Sequence, residues 1–428
     1  MRICIVASGN FYSSYGGGQV YVKNLVDELI RRKEELTVIS CHPSFSATPT
    51  KKSYKGVDIY EIAPDGDIAS CLKEIKPDVV HAHGEKSLFS KCCRDLNIPC
   101  IVTAHHGGIL CPAGSLLNHN DEICHTKACH KDCLPCYLRN IRSGSLWFPL
   151  LRHLDEDRFV HFGEKLHKHR FIPFVTPIGE SALSIRGRFE HWEAIKENAT
   201  IIVAPSRAIA ESLILNGADK GKVKVIPHGI PLPNLTPCDT TNNDSIKRFY
   251  YVGRICRVKG IHVLLDAFSQ LRDANVELHL IGGASGKNEK QYQENLMHKY
   301  RNDSRIIWHG KIPAQEINSF VSGFDIMVHP AIYLEVFGLN IAEAQALGKY
   351  VIATRCGGAE MQIEDGVNGT LVEPNNIPQL RDAMEQAIKS HPTFSKKVRS
   401  IEQHSDDLLS LYKDVADPSE PFLNSPKA

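Results

Sequence analysis

Glu335 and Glu343 stand eight positions apart in YLEVFGLNIAEAQALG, on either side of a Phe337-Gly338-Leu339 turn. If the segment is helical, that spacing is a rise of about 12 Å. Two carboxylates so placed cannot share one proton, and they exceed the roughly 5 to 9.5 Å separation of glycosidase pairs. They suit two contacts along an extended ligand about as long as a nucleotide sugar. The turn itself would present free backbone N–H groups at a helix start, where anions bind. The plain alternative is a solvated helix glutamate and an unrelated loop charge. In YVGRICRVKG, Arg254 follows Gly253 at a strand end, and Lys259 precedes Gly260 and a helix. A planar guanidinium and a point-charge ammonium at one strand end can converge on a diphosphate. A surface basic pair is the bland counterpart.

Fourteen cysteines are present, and five of them crowd into one stretch: Cys111, Cys124, Cys129, Cys133 and Cys136. The last four are spaced C-x4-C-x3-C-x2-C, with His125 and His130 interleaved. Such a set can close a tetrahedral structural zinc site. Ligation of an iron–sulfur cluster and plain reduced thiols stay open beside it. Asp65 and Asp67 belong to Pro64-Asp65-Gly66 turn chemistry, so no catalytic metal is placed there.

These residues need a scaffold. Near-continuous apolar runs (RICIVAS, ELTVIS, PDVVHAH, CIVTA, ATIIVAPS) alternate with amphipathic segments such as QVYVKNLVDELIRRK. That pattern indicates a parallel sheet covered on both faces. Four prolines in PHGIPLPNLTPCDTTNNDS, residues 227–245, break it, and a second α/β series follows: KRFYYVGRI, VELHLIGG, SRIIWHG, FDIMVHPA and YVIATRCGG. The expected fold class is α/β, two doubly wound Rossmann-like domains. Domain one covers 1–229 with a Cys-rich insertion at about 110–195. A linker covers 230–246, the second domain 247–395, a returning C-terminal helix 396–416 and a tail 417–428. Ligands of such sheets bind beyond the C-terminal strand ends, so a cleft between the domains is the expected site.

The chain has 428 residues, 42% hydrophobic and 23% charged, too many for one core of ordinary size. A net charge of +1 argues against any global attraction to nucleic acid. The N-terminal MRICIVASGN reads as a buried strand rather than a signal peptide, and no apolar run reaches membrane-span length. The expectation is a cytoplasmic protein, in solution or peripheral at a membrane. Trp147, Phe148, Leu150 and Leu151 among Arg139, Arg142 and Arg152 form a segment suited to touching a membrane, with core packing as the alternative.

VGRICRVKG, followed in order by E-x7-E, Gly-Gly-x-x-Glu and Asp-Gly-x-x-Gly, resembles the donor half of the retaining glycosyltransferases of family four. YGGGQVYVKNLVDEL, PDVVHAHG, TAHHG and VIPHGI resemble its first half more loosely. The resemblance implies a GT-B fold and transfer of a sugar from a UDP- or GDP-type donor to a glycan or lipid-linked acceptor. The anomeric configuration would be retained, by front-face attack without a required cofactor. It implies that Glu335 binds donor-sugar hydroxyls and that the Phe337-Gly338-Leu339 backbone meets sugar and phosphate. Glu343 would hold the ribose, while Arg254 and Lys259 neutralise the departing diphosphate. Gly17 and Gly18 would let backbone amides approach phosphate or acceptor. His105 would lie near the reacting sugar, with His106 as the neighbouring candidate, and the cysteine block would shape the acceptor side. A nucleotide-sugar 2-epimerase of related architecture and a non-catalytic, zinc-stapled nucleotide-binding protein are the competing readings.

Overall fold

The computed structural model describes residues 1–12, 16–138, 156–168, 176–233, 246–390 and 398–417. The chain forms two compact units: residues 1–119, 124–229 and 401–428 in the first, and 120–123 with 230–400 in the second.

The first unit is built on an eight-stranded sheet of β1 (Arg2–Ser8), β2 (Glu35–Cys41), β3 (Thr50–Tyr54), β4 (Val57–Ile62), β5 (Val79–Ala82), β6 (Cys100–Thr103), β7 (Ile201–Ala204) and β8 (Val223–Val225). The order is β3-β4-β2-β1-β5-β6-β7-β8, parallel except for the β3–β4 pair. The second unit has β9 (Lys247–Val252), β10 (Val276–Ile281), β11 (Ile306–Gly310), β12 (Ile326–His329), β13 (Tyr350–Thr354) and β14 (Gly369–Val372). Its order, β11-β10-β9-β12-β13-β14, is that of a doubly wound sheet with all strands parallel. Buried runs such as IIVA in β7 and YVIAT in β13 read as apolar throughout because both faces are covered.

The helices of the first unit are α1 (Gly17–Arg31), α2 (Ile68–Ile75), α3 (Lys86–Asp95), α4 (His130–Leu138), α5 (Glu156–Lys168), α6 (Thr176–Asn198) and α7 (Arg207–Leu215). The second unit adds α8 (Ile261–Phe268), α9 (Gly286–Lys299), α10 (Ala314–Val321), α11 (Leu339–Ala346), α12 (Gly358–Gln362) and α13 (Ile377–Ser390). The last helix, α14 (Ile401–Ala416), belongs to the first unit. It buries Ile401, His404, Leu408 and Tyr412, and Arg32 at the end of α1 reaches Asp406 at 2.6 Å and the Glu402 carbonyl at 2.8 Å.

Each order reverses at one place, between β1 and β5 in the first sheet and between β9 and β12 in the second. Strand ends diverge there and open a crevice. The loops leaving β1, β9 and β12 lead to Gly17 and Gly18, to Arg254 and Lys259, and to Glu335 with the Phe337-Gly338-Leu339 turn, while His105 and the cysteine block follow β6. The segment holding Arg139, Arg142, Trp147, Phe148, Leu150, Leu151 and Arg152, residues 234–245 of the linker, and residues 418–428 lie outside the described residues. Among the described residues no helix is long and apolar enough to cross a membrane.

Candidate active site

The loops after β9 and β12 meet because backbone latches them. The Ile332 N–H donates to the Val258 carbonyl at 2.9 Å. Gly260 sits at φ +70, and a Cβ there would lie 1.8 Å from the Pro330 oxygen, so only glycine allows the approach. Consequently Lys259 Nζ donates to Glu335 Oε2 at 2.5 Å, and the buried His329 ring lies 3.4 Å from the same oxygen. Glu335 is only 8% exposed. Burial pushes its carboxyl up, but the Lys259 ammonium and the His329 ring outweigh that and hold it far below the usual carboxylate range. Burial likewise opposes the Lys259 charge, and Glu335, with the Tyr333 and Tyr251 hydroxyls, holds it well above the usual lysine value. Both groups are therefore ionised, a buried and coupled pair. Lys259 Nζ also stands 5.1 Å from the Tyr333 ring centroid.

Glu335 is fixed from its other side. Its N–H donates to the Cys356 carbonyl at 2.8 Å, and its carbonyl accepts from Gly358 at 2.9 Å. Gln362 Nε2 donates to the Phe337 carbonyl. The turn closes at Gly338, which takes φ +82 as the N-cap of α11 with no side-chain cap bond. Asn340 Nδ2 ties the first turn of α11 to the Val252 carbonyl at the end of β9, at 2.9 Å. The helix begins only at Leu339, so Glu335 lies ahead of it in extended backbone, and the helical rise to Glu343 applies from Leu339 onward, about 6 Å. Glu343 is half-buried, its carboxyl raised by burial. Its charge acts on the buried Tyr250 hydroxyl, which burial first and then Glu343 push up. Arg254 is exposed and pairs with Glu289 at 3.5 Å. The structure thus joins Lys259 to Glu335, sets Arg254 on the same loop, and keeps Glu343 apart on α11.

In the first unit, Gly17 and Gly18 open α1, and a Cβ on Gly18 would lie 3.9 Å from His105. His105 Nε2 shares a hydrogen bond with His83 Nδ1 at 2.7 Å. Around them lies a buried aromatic and imidazole cluster that the sequence reading missed. The Tyr21 and His228 rings are 4.0 Å apart, and the His81 and His83 rings 4.1 Å. Tyr21 Oη meets His404 Nε2 at 2.6 Å, and His81 meets Tyr412 Oη at 2.6 Å and Thr103 Oγ1 at 2.7 Å. Burial first, then neighbouring imidazoles, lowers His83, His105 and His228 well below the usual value, and His81 to about 3. The alternation in VVHAH was the available signal, since residues two apart in a strand share a face.

The cysteine block divides. Cys133 lies on α4, and its thiol is raised by burial and by the neighbouring Cys111, Cys129 and Cys136. Cys129 Sγ donates to Asp132 at 3.2 Å, and Cys124 Sγ instead meets Thr126 at 3.3 Å. Among the described residues no group of three or more His, Cys, Asp or Glu side chains is placed to hold a metal ion. Residues 120–123, inside this block, group with the second unit: Arg257 donates to Asp121 at 2.7 Å and Asn375 to its carbonyl at 2.6 Å.

Residues 15–131 match the family described as Glycosyltransferase Family 4, and residues 239–404 the one described as Glycosyl transferases group 1. A D-inositol 3-phosphate glycosyltransferase of Paenarthrobacter aurescens (strain TC1) is 30% identical over 234 residues, 52% of this chain and 57% of that one. Its counterpart in Corynebacterium diphtheriae is 28% identical over 250 residues, 52% and 58%. The chain spans about half the length of the curated relatives it matches. Anabaena HepE, solved in complex with UDP and glucose, is similar in fold at TM-score 0.60 and 17% identity, covering 97% of this chain and 96% of that one. The catalytic domain of starch synthase IV from Arabidopsis thaliana, bound to ADP and acarbose, gives TM-score 0.63 at 13% identity, covering 97% and 99%. The architecture is GT-B, and the two halves of the chain match the family 4 and group 1 glycosyltransferase models in turn.

Proposed function

We propose that the protein transfers a sugar from a nucleotide-diphosphate sugar to an acceptor hydroxyl with retention at the anomeric carbon, in the assembly of a surface glycan or other glycoconjugate. The observation that carries this is the Lys259–Glu335 pair held at the sheet's reversal point beside Arg254. As the anomeric C–O bond breaks, negative charge gathers on the leaving diphosphate. Fixed cations at that place are the largest usual source of rate. Glu335 accepts from sugar hydroxyls, Glu343 from the ribose, and a phosphate oxygen takes the acceptor proton. The relatives fit this reading: curated ones are D-inositol 3-phosphate glycosyltransferases, and solved ones hold UDP, UDP-glucose or ADP. A lipid-linked acceptor would bring the chain to a membrane surface from the cytoplasmic side.

The test is a panel of UDP-, GDP- and ADP-sugars offered to purified protein, read as binding and slow donor hydrolysis. At least one donor should bind, and Arg254→Ala should weaken it. If none binds, or Arg254→Ala changes nothing, the assignment fails. A structural zinc drawn from Cys111, Cys124, Cys129, Cys133 and Cys136 is a separate proposal, supported by the influence of Cys111, Cys129 and Cys136 on the Cys133 thiol. They would have to draw closer to coordinate it. Metal content of protein purified without chelator decides: one zinc per chain supports the site, and none rules it out.

A further inference from the structure

Beside His105, the first unit gathers cations that nothing in the donor site uses. Helix α3 starts directly after β5, at the reversal point of its sheet. Its N-cap, Glu85, sits in the left-handed region at φ 40, makes no side-chain cap bond, and the first turn holds no acidic residue. The leading amides of α3 and the positive end of its dipole are thus left for an anion. Lys86, the first residue of α3, is 8% exposed and donates one hydrogen bond, to the His83 carbonyl at 2.6 Å. An ammonium has three donors.

Helix α6 closes over this turn. Ser87 Oγ meets His191 Nδ1 at 2.7 Å. Arg188 is one helical turn before His191, so both side chains share a face. That face is the buried one, since Ile185, Trp192 and Ile195 are core residues and Arg188 falls on the stripe they define. Trp192 Nε1 anchors the helix to the Asn216 carbonyl at 2.8 Å. Arg188 is half-buried, and among the described residues no hydrogen bond or ion pair engages it. By contrast Arg186, two residues earlier, pairs with Glu190 at 2.7 Å. His106, next to His105, completes the group. Burial comes first, and the charges of Lys86 and Arg188 follow, in lowering His106 and His191 to about 4. Lys86 itself is drawn down to about 8 by burial, against the opposing pull of Glu85, with Arg188 adding to the fall.

Lys86 and the α6 face that carries Arg188 and His191 therefore meet at an uncapped helix start, with His106 near enough for both charges to act on it and Glu85 opposing them. A guanidinium at a core-facing helix position with no partner is costly unless something fills the place. We infer that Lys86, Arg188, His106, His191 and the first amides of α3 bind the phosphate group of a phosphorylated acceptor. The arginine fork, the point-charge lysine and the helix amides together match a tetrahedral oxyanion. This rests on the proposed transferase reading, and it names the substrate class that reading left open.

The experiment uses the full chain carrying Lys259→Met with Glu335→Gln, which removes the donor-site lysine without leaving its partner charged. Inorganic phosphate is titrated by calorimetry. Phosphate should still bind, and adding Arg188→Gln should weaken it by roughly tenfold or more. Arg186→Gln should leave it as it was. Lys86 is buried, so its replacement would test folding as much as binding, and Arg188 carries the test. Glycerol 3-phosphate in solution and a short prenyl phosphate in detergent then compete against phosphate. Displacement by the first alone points to a soluble acceptor, and by the second to a lipid-linked one. No phosphate binding in this background, indifference to Arg188→Gln, or displacement by neither compound overturns the inference. Donor-sugar binding by the chain with Lys259 and Glu335 intact is measured separately, so failure of one reading leaves the other standing.

Discussion

Lys259→Met should destabilise the protein far more than loss of a surface charge would. Glu335 is 8% exposed, with Lys259 at 2.5 Å as its ion-pair partner and the His329 ring, which burial keeps toward its neutral form, at 3.4 Å. Breaking such a pair from one side leaves a buried charge and costs about 3–5 kcal/mol. Glu335→Gln strands the ammonium instead and should cost a similar amount. The double variant removes both charges and should recover most of the loss, so the two effects are strongly non-additive. The pH response has a definite sign. In the wild type the Glu335 carboxyl is depressed. Its stabilisation is complete above the unfolded carboxyl value, about 4.3, and fades only as pH falls toward the much lower folded value. Without Lys259, burial raises the carboxyl. The variant is then most stable at acid pH and loses stability as pH rises above about 4.3. Urea unfolding of the four proteins from pH 4 to 8 measures this directly. A Lys259→Met cost below about 1 kcal/mol, the level of an exposed pair, with no reversal of the pH slope, would refute the buried-pair reasoning.

Three further outcomes follow from the same geometry. Gly260→Ala forces a Cβ to within 1.8 Å of the Pro330 oxygen; it should lower the unfolding midpoint and displace Lys259, slowing turnover of bound donor more than a change at exposed Arg254 does. Glu343→Gln should weaken nucleotide binding by roughly ten- to a hundredfold, the worth of hydrogen bonds to a charged group, with little change in the unfolding midpoint, as calorimetry on the bound donor would show. His81, His83, His105 and His228 have depressed folded values. Stability is therefore complete above the unfolded histidine value near 6.5, and it should fall below that by about 1.4 kcal/mol per pH unit for each histidine; a flat midpoint between pH 7.5 and 5.5 would contradict it.

Most of the scaffold could be read from runs of Val and Ile, because strands covered on both faces are apolar throughout. Strand β3, TKKSY, could not: it is an exposed edge strand with one intermediate residue, paired antiparallel to β4, and its polar sequence resembles a loop. Strand β8 is three residues long, too short to show a period. Family motifs singled out Lys259 and Glu335 separately, one for phosphate and one for sugar. Their direct contact depends on the Ile332–Val258 bond and the Gly260–Pro330 approach, joining loops far apart in sequence. The histidine cluster is harder still, since His404 and Tyr21 meet across 383 positions. No local window holds both.

The pair also constrains how the proposed reaction can work. The Lys259 ion pair and the His329 ring both approach Glu335 at Oε2, which would leave Oε1 to accept from sugar hydroxyls, and an ionised carboxylate can only accept. Lys259 keeps that carboxylate ionised inside a buried site, while its two remaining N–H donors can turn toward a phosphate. On the proposed reaction, one ammonium would couple sugar recognition to leaving-group stabilisation. Before the donor enters, the Lys259 charge is largely offset by Glu335, so Arg254, exposed and paired with Glu289 at 3.5 Å, would supply the initial attraction. On that division of labour, Arg254→Ala should act mainly on donor affinity. Replacing Lys259 together with Glu335, once folding is restored, should act mainly on the rate of transfer. Equal effects of the two changes on affinity, with turnover of bound donor untouched, would mean that the pair is a structural brace and not part of the chemistry.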